Sequence, residues 1–201
     1  MRILKVLEGN INDRYMDMAV KALADGEIII YPTDTLYAIG CNALNNSAIN
    51  KICKLKGINP EKTNLSIICD GISMAAEYAR FDNDMFKLLK KNLPGPFTFI
   101  FPSSSSLPKA FKGRKTVGVR IPDNRIAREL VSRLGNPVLS TTIKYEDEDY
   151  AVNPELIAET YDGVVPYMLD GGEGGLIPST VVDCTSGVAE VVREGRGELR
   201  L

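Results

Sequence analysis

The chain has 201 residues, of which 44% are apolar and 25% charged, so its composition is that of a folded globular protein rather than a disordered one. We expect this length to form one domain over residues 1–201. The chain contains no histidine. That absence excludes a Ser-His-Asp or Cys-His nucleophile, a histidine-ligated zinc ion and an imidazole general base.

The charges nearly balance, because 24 lysines and arginines stand against 26 aspartates and glutamates, for a net charge of -2. Such a balance is not typical of a protein that coats nucleic acid. The segment 85–122 nevertheless contains several basic residues and no acidic one. It is either a solvated basic edge or a surface that attracts the phosphates of a nucleotide or of RNA. The candidates for this surface are Lys109, Lys112, Arg114 and Lys115.

The cysteines show no close pair along the chain; they are Cys41, Cys53, Cys69 and Cys184. We therefore expect buried apolar thiols in a reducing compartment rather than a zinc site. The N-terminal sequence MRILKVLEGN does not resemble a signal peptide, and no apolar run approaches the length of a membrane span. These features predict a cytoplasmic protein without membrane contact.

Taken in chain order, the hydrophobic patterns predict helices and strands that interleave irregularly. The first helix follows Asn12, ends at Gly26 and carries an apolar stripe that consists of Tyr15, Met18, Ala19, Ala22 and Leu23. The next strand, 27–31, reads EIIIY, and this continuous β-branched run indicates burial on both faces. The predicted strands are 3–7, 27–31, 36–41, 65–69, 97–101, 116–121, the short extended segment 137–140, 164–169, 180–184 and 189–193, and the later helices are 46–55, 72–79, 83–92, 124–134 and 154–161. Because several strands adjoin without a helix, we expect an α/β fold with one mixed, twisted sheet that is flanked by helices.

Short polar side chains lie at the ends of several predicted strands, where α/β sheets place ligands. Thr33, Asp34 and Thr35 follow the strand 27–31, and they either present hydroxyls and a carboxylate to a small ligand or close a hydrogen-bonded turn. Further hydroxyl groups lie at the ends of two later strands, on Ser140, Thr142 and Ser179.

Cations accompany these hydroxyls. Lys56 ends a helix, where it either complements the helix dipole or reaches an anion. Arg120 stands in a β-rich run, and its guanidinium either forms a structural salt bridge or binds a carboxylate or phosphate. Arg193 follows near the end of the chain. Together the cations and hydroxyls describe a pocket for a phosphate and an amino acid better than a hydrolase site.

Seven motifs occur in a fixed order along the chain: YPTDTLYAIG, KLKG, PGPFTFIF, VGVRIP, LSTT, STVVD and VVREG. In this order and spacing the chain resembles the YrdC/YciO family over about residues 10–197, and the YciO branch in particular. The resemblance implies a YrdC-like single domain, with a large, twisted, open mixed sheet and a concave, positively charged face. It also implies a nucleotidyltransferase that makes threonylcarbamoyl-AMP from L-threonine, bicarbonate and ATP with Mg²⁺, for the threonylcarbamoyladenosine modification of tRNA.

By this resemblance, the threonine site contains Thr33, Thr35, Arg120, Ser140 and Ser179, and the nucleotide site contains Lys56, Thr142 and Arg193. No catalytic residue and no metal ligand is assigned, and no zinc, haem or flavin is implied. The implied reaction depends on positioning, charge neutralisation and Mg²⁺ rather than on covalent help from the protein. It can therefore proceed without histidine, unlike the chemistry of the related dihydroxybutanone-phosphate synthases, whose metal site includes one.

Two positions depart from the synthase pattern in the way that the YciO branch does. Ile58 stands where the synthases carry an arginine, and Lys144 stands where they carry an asparagine. Loss of the arginine removes a bidentate phosphate clamp, which costs roughly a hundredfold in rate. Two functions therefore stay open: a synthase or divergent relative, and a YciO-type protein that binds tRNA or double-stranded RNA with weak or no synthase activity. The acidic run 146–149 is expected to be a solvated loop.

Overall fold

The computed structural model describes residues 1–201 and joins ten strands in one mixed sheet, which confirms the predicted fold class. The strands are β1 (Arg2–Lys5), β2 (Ile29–Tyr31), β3 (Ala38–Asn42), β4 (Ser66–Ile68), β5 (Phe97–Pro102), β6 (Thr116–Arg120), β7 (Val138–Thr142), β8 (Tyr167–Asp170), β9 (Thr180–Asp183) and β10 (Glu190–Arg193). Their spatial order is β1-β8-β2-β3-β7-β4-β6-β5-β9-β10. The pairs β1–β8, β8–β2, β4–β6 and β5–β9 are parallel, and the others are antiparallel.

Local sequence signals set the ends of the main helices. The helices are α1 (Asp13–Ala24), α2 (Asn46–Lys56), α3 (Ile72–Tyr78), α4 (Asn83–Asn92), α5 (Arg125–Leu134), α6 (Asp149–Val152) and α7 (Pro154–Thr160), with a short 3-10 helix at Lys109–Phe111. Asn12, Asn45 and Asn124 cap α1, α2 and α5 through their side-chain oxygens. Gly57 and Gly135 end α2 and α5 in the left-handed conformation that favours glycine. None of these helices combines the length and apolarity that a membrane crossing requires.

Helices cover the two faces of the sheet unequally. On one face, α2, α3, α4 and α7 pack over a core of 36 buried residues. On the other face, α1 and α5 lie side by side over a core of 16 buried residues. Ile30 of β2 belongs to the larger core, and Ile29 and Tyr31 belong to the smaller one. The strand is therefore buried on both faces, as its β-branched run predicted.

The smaller helical layer leaves part of its face uncovered. α1 and α5 pack on β8, β2, β3 and β4. The core beneath them contains no residue of β5, β6 or β9. Thr98, Ile100 and Val181, on β5 and β9, instead line an open cavity beside the helices. The uneven cover thus places a concave surface on the side of the sheet where the candidate site residues lie.

Most predicted elements are present, and the differences concern their ends. The strand expected at 137–140 continues to Thr142, because Thr142 pairs with Ala38 on β3. The strand expected at 164–169 begins only at Tyr167, since the chain still turns after α7, where the Val165 N–H donates to the Tyr161 carbonyl.

Three local features differ from the sequence interpretation. In α1, Met16 is fully buried while Tyr15 and Met18 are partly buried, because the helix packs against α5 as well as against the sheet. The acidic run 146–149 is exposed, but Asp149 begins the short helix α6. Neither α6 nor the 3-10 helix was predicted, since elements of this length carry no hydrophobic period.

Candidate active site

A cavity of about 390 Å³ opens on the uncovered part of the sheet. It brings together five of the residues that the sequence singled out: Arg120, Ser140, Thr142, Ser179 and Arg193. These residues lie on or directly beside β6, β7, β9 and β10. No acidic side chain lines the cavity. It therefore presents hydroxyls and positive charge to a ligand.

The floor of the cavity is formed by small residues on neighbouring strands. Ser66 on β4 pairs with Gly118 on β6 and with Ser140 on β7. Ser140 in turn pairs with Gly40 on β3. A Cβ atom on Gly118 would lie 2.4 Å from the Ser66 hydroxyl oxygen, which is closer than these atoms can approach. The strand register therefore requires glycine at position 118 if Ser66 is to keep its place.

The guanidinium of Arg120 is held by the turn that follows β2. Its Nη2 atom donates to Asp34 Oδ1 and to Thr35 Oγ1, each at 3.0 Å. The other carboxylate oxygen of Asp34 accepts from the backbone N–H of Asp123 at 2.9 Å. The Arg120 and Asp34 side chains are only 10% and 8% exposed. The salt bridge considered for Arg120 is thus present, and it is buried.

The same guanidinium keeps unused donors. Nη1 makes no hydrogen bond within the chain, and Nε is buried without a partner. Burial lowers the pKa of Arg120, although Asp34 acts in the opposite direction, and the positive charge of Arg193 adds to the lowering. Asp34 pairs with Arg120 only, and Arg193, which also lines the cavity, forms no ion pair. An anionic ligand would supply the missing negative charge.

The two threonines of this turn bond within the turn itself. Thr33 Oγ1 donates to the Leu36 carbonyl at 2.7 Å, accepts from the Thr35 N–H at 3.1 Å, and lies 3.0 Å from Thr35 Oγ1. This is the hydrogen-bonded turn that the sequence allowed as an alternative. Thr33 and Thr35 border a separate cleft, which they share with Arg196 among others. The structure thus places them next to Arg120 rather than in the lining of the cavity.

Two of the cavity serines, Ser140 and Ser179, are each bonded to a residue that the sequence interpretation missed. The Tyr31 hydroxyl donates to Ser140 Oγ at 2.7 Å. Thr98 Oγ1 lies 2.8 Å from Ser179 Oγ, and Arg193 Nη2 donates to the Ser179 carbonyl at 2.7 Å. Tyr31 and Thr98 lie inside apolar strand patterns, so only the order of the strands in the sheet reveals them. Their one sequence signal is a polar group within a buried strand.

Lys56 lies at the rim of the cavity. Its Nζ atom donates to the carbonyl of Thr142, a residue of the lining. Burial lowers the pKa of Lys56, and the nearby charge of Lys144 lowers it further. Lys144 is exposed, and its backbone N–H donates to the Tyr161 hydroxyl at 2.7 Å. Ile58 lines the cavity itself, so the position that departs from the synthase pattern faces the ligand space.

Lys109, Lys112, Arg114 and Lys115, which we call the basic surface, are all exposed between β5 and β6. Arg114 Nε donates to Asn64 Oδ1 at 3.1 Å, and Asn64 lines the cavity. The basic surface therefore meets the cavity lining through Arg114.

The side chains present no ready metal site. No group of three or more histidine, cysteine, aspartate or glutamate side chains is placed to hold a metal ion. All four cysteines are buried, as expected, and burial raises the pKa of Cys41 and of Cys184 to about 12. Because the lining lacks carboxylates, Mg²⁺ would enter this cavity on the oxygens of a phosphorylated ligand.

Comparison with known proteins places these features in context. A family model for Sua5, YciO and YrdC, described as "Telomere recombination", matches residues 21–195. An uncharacterized protein of Haemophilus influenzae is 37% identical over 188 residues, which cover 92% of this chain and 90% of that protein. The threonylcarbamoyl-AMP synthase of Bacillus subtilis is 29% identical over 188 residues, which cover 92% of this chain and 54% of the synthase.

Two crystal structures extend the similarity to the fold. Escherichia coli YciO has a TM-score of 0.91 and 34% identity, and the match covers 99% of this chain and 98% of YciO. Pyrococcus abyssi Sua5, complexed with L-threonine, has a TM-score of 0.88 and 28% identity, and the match covers 97% of this chain and 58% of Sua5. The chain thus spans nearly all of YciO and little more than half of Sua5.

Replacement of Asp34 tests the buried ion pair. Asp34→Asn leaves the Arg120 guanidinium buried without its counter-charge, and loss of one partner of such a pair costs about 3–5 kcal/mol. We expect urea denaturation to show a fall of this size in the free energy of unfolding. Asp84→Asn, which breaks an exposed ion pair with Lys87, is the matched control and should change it little. Equal small losses in both variants would show that the buried pair does not support the fold.

Proposed function

The chain belongs to the Sua5/YciO/YrdC family, and on that premise we propose that it is a threonylcarbamoyl-AMP synthase or a divergent relative that acts on a nucleotide and an amino acid. The observation that carries the proposal is the convergence of Arg120, Arg193, Ser140 and Ser179 on a cavity without acidic residues. Such a lining suits an amino-acid carboxylate and nucleotide phosphates. The likeness to a synthase and to a Sua5 complexed with L-threonine supports the same substrate class.

In the proposed reaction, the threonine amine combines with bicarbonate to give a carbamate and water. A carbamate oxygen then attacks the α-phosphorus of ATP, the bond from that phosphorus to the bridging oxygen breaks, and pyrophosphate leaves with Mg²⁺. Neither step requires a covalent bond to the protein. The chain contributes positioning and charge neutralisation, for which arginines, lysines and hydroxyls suffice.

The geometry suggests how the residues divide this work. We assign the threonine carboxylate to Arg120, whose Nη1 atom has no partner within the chain, with Ser140 and Ser179 as neighbouring hydroxyls. Thr33 and Thr35 act through Arg120, since Thr35 accepts from its Nη2 atom. We assign the nucleotide phosphates to Lys56, Thr142 and Arg193, which lie at the ends of α2, β7 and β10.

A turnover assay tests the synthase function. Incubation with labelled bicarbonate, L-threonine, ATP and Mg²⁺ should release pyrophosphate and form a labelled product. Lys56→Ala should lower this turnover about tenfold or more, because it removes a cation from the phosphate side of the cavity. Lys54→Ala, at an exposed position on the same helix, should leave it unchanged. Turnover of the native chain no higher than that of Lys56→Ala would refute the synthase function.

Position 58 offers a gain-of-function test. Ile58 lines the cavity, so an arginine there can present a bidentate fork to the phosphates. We expect Ile58→Arg to raise the rate of pyrophosphate release by up to about a hundredfold. Ile58→Met provides a long uncharged side chain at the same place and should not raise the rate. An equal effect of both substitutions would show that the charge is not what the site lacks.

The basic surface favours a second candidate function. We propose, as the alternative, that the chain binds tRNA or double-stranded RNA with weak or no synthase activity. Four exposed cations occur within residues 109–115 of a chain whose net charge is only -2, and one of them, Arg114, contacts the cavity lining. Phosphate backbones bind such surfaces through release of counterions, independently of sequence.

The salt dependence of RNA binding tests this alternative. Each phosphate contact adds about 0.7–0.9 to the slope of log affinity against log salt concentration. Neutralisation of Lys112, Arg114 and Lys115 should therefore reduce the slope by about two to three. Neutralisation of Lys5, Arg14 and Lys21, all exposed elsewhere, changes the net charge equally and should leave the slope nearly unchanged. A slope that responds equally to both sets of substitutions would exclude a specific RNA surface.

A further inference from the structure

Tyr31 is a buried tyrosine whose hydroxyl lies beneath the cavity rather than in its lining. It is 1% exposed, and its side chain starts on β2 and crosses β3 to reach Ser140 on β7. The crossing point is Gly40, where an added Cβ would lie 2.8 Å from the Tyr31 ring. Gly40 is also the residue that pairs with Ser140. The sequence thus combines a long side chain on one strand, a glycine on the next and a serine on the third.

The position of the Tyr31 proton follows from this burial. The hydroxyl makes its only hydrogen bond with Ser140 Oγ, at 2.7 Å. A buried phenol that did not donate would leave its proton without a partner, at a cost in free energy. Burial also raises the pKa of Tyr31, so the phenol stays protonated. Tyr31 is therefore the donor, and Ser140 Oγ is the acceptor.

The proton of Ser140 must then point elsewhere. Ser140 Oγ makes no second hydrogen bond within the chain, and Ser140 lines the cavity. A hydroxyl has one proton to donate, and the lone pair toward Tyr31 is already occupied. The remaining donor direction is therefore available to a ligand in the cavity.

We propose that Tyr31 is a positioning residue that makes Ser140 a hydrogen-bond donor toward the ligand. This arrangement leaves the Ser140 proton for a ligand oxygen that accepts hydrogen bonds, such as that of a carboxylate, a carbamate or a phosphate. The proposal rests on the proposed function for the identity of its main probe, L-threonine. It also applies to any other ligand whose acceptor oxygen reaches Ser140.

Calorimetric titration of two probes, L-threonine and inorganic pyrophosphate, tests the role of Tyr31. For a probe that contacts Ser140, Tyr31→Phe should weaken binding about three- to tenfold, which corresponds to the loss of one hydrogen bond. Ser140→Ala should weaken it at least as much, and adding Tyr31→Phe to Ser140→Ala should cause no further loss. Tyr37→Phe is the control, because Tyr37 lies in the core on the opposite face and bonds to Gly171 and Gly172. It should lower stability without weakening either probe.

Parallel urea denaturation separates positioning from a purely structural role. A Tyr31→Phe variant that loses stability but binds both probes as the native chain does would overturn the proposal. The proposal would also be overturned if adding Tyr31→Phe to Ser140→Ala weakened binding as much as Tyr31→Phe does in the native chain. If the Tyr31→Phe variant does not fold, the Ser140→Ala variant tests the proposal by itself. Unchanged affinity of Ser140→Ala for both probes would show that Ser140 donates a hydrogen bond to neither, which overturns the proposal. If the native chain binds pyrophosphate but not L-threonine, the proposed function is refuted, and the role of Tyr31 is then tested with pyrophosphate. If the native chain binds neither probe, both the proposed function and the proposed role of Tyr31 are overturned.

Discussion

The buried ion pair between Arg120 and Asp34 is the constraint on which the site depends. A guanidinium in a largely buried position is costly, and the cost is offset only if carboxylate and hydroxyl acceptors are held in place. Asp34 supplies one such acceptor and Thr35 another, from a turn that is 86 residues away from Arg120 in the chain. Asp34 also accepts from the Asp123 N–H, and Arg196 donates to its carbonyl. Asp34 thus connects the turn after β2 to the end of β6 through its carboxylate, and to the C-terminal segment through its backbone carbonyl.

That constraint explains why the cavity is formed in advance of a ligand. Because Arg120 is fixed at the end of β6, its neighbour Gly118 is fixed opposite Ser66 on the floor. Donors hold two serines of the lining, the buried Tyr31 at Ser140 and the exposed Arg193 at Ser179. A ligand therefore meets hydroxyls and cations whose orientations are already set, and the entropy of arranging them does not oppose binding.

Periodicity and strand-end chemistry predicted the mixed sheet, most element positions and the cavity position of Arg120, Ser140 and Ser179. These signals are local, so they do not depend on how the strands are ordered. Tyr31 and Thr98 were missed because their partners lie on strands that only the sheet order makes neighbours. For the same reason the sequence could not decide whether Arg120 forms a structural salt bridge or binds a ligand. Its partner is distant in sequence, and the guanidinium keeps a free donor even when paired.

The residues at the rim of the cavity bear differently on the binding of a ligand and on catalysis. Burial lowers the pKa of Lys56, and repulsion from the positive charge of Lys144 lowers it further. A phosphate chain between them would relieve that repulsion, so the pair favours ground-state binding. Lysine, however, is a point charge and arginine a rigid fork, and only interactions that strengthen in the transition state raise the rate. Ile58 lines the cavity where the synthase pattern has an arginine, so this position offers a ligand neither the charge nor the fork.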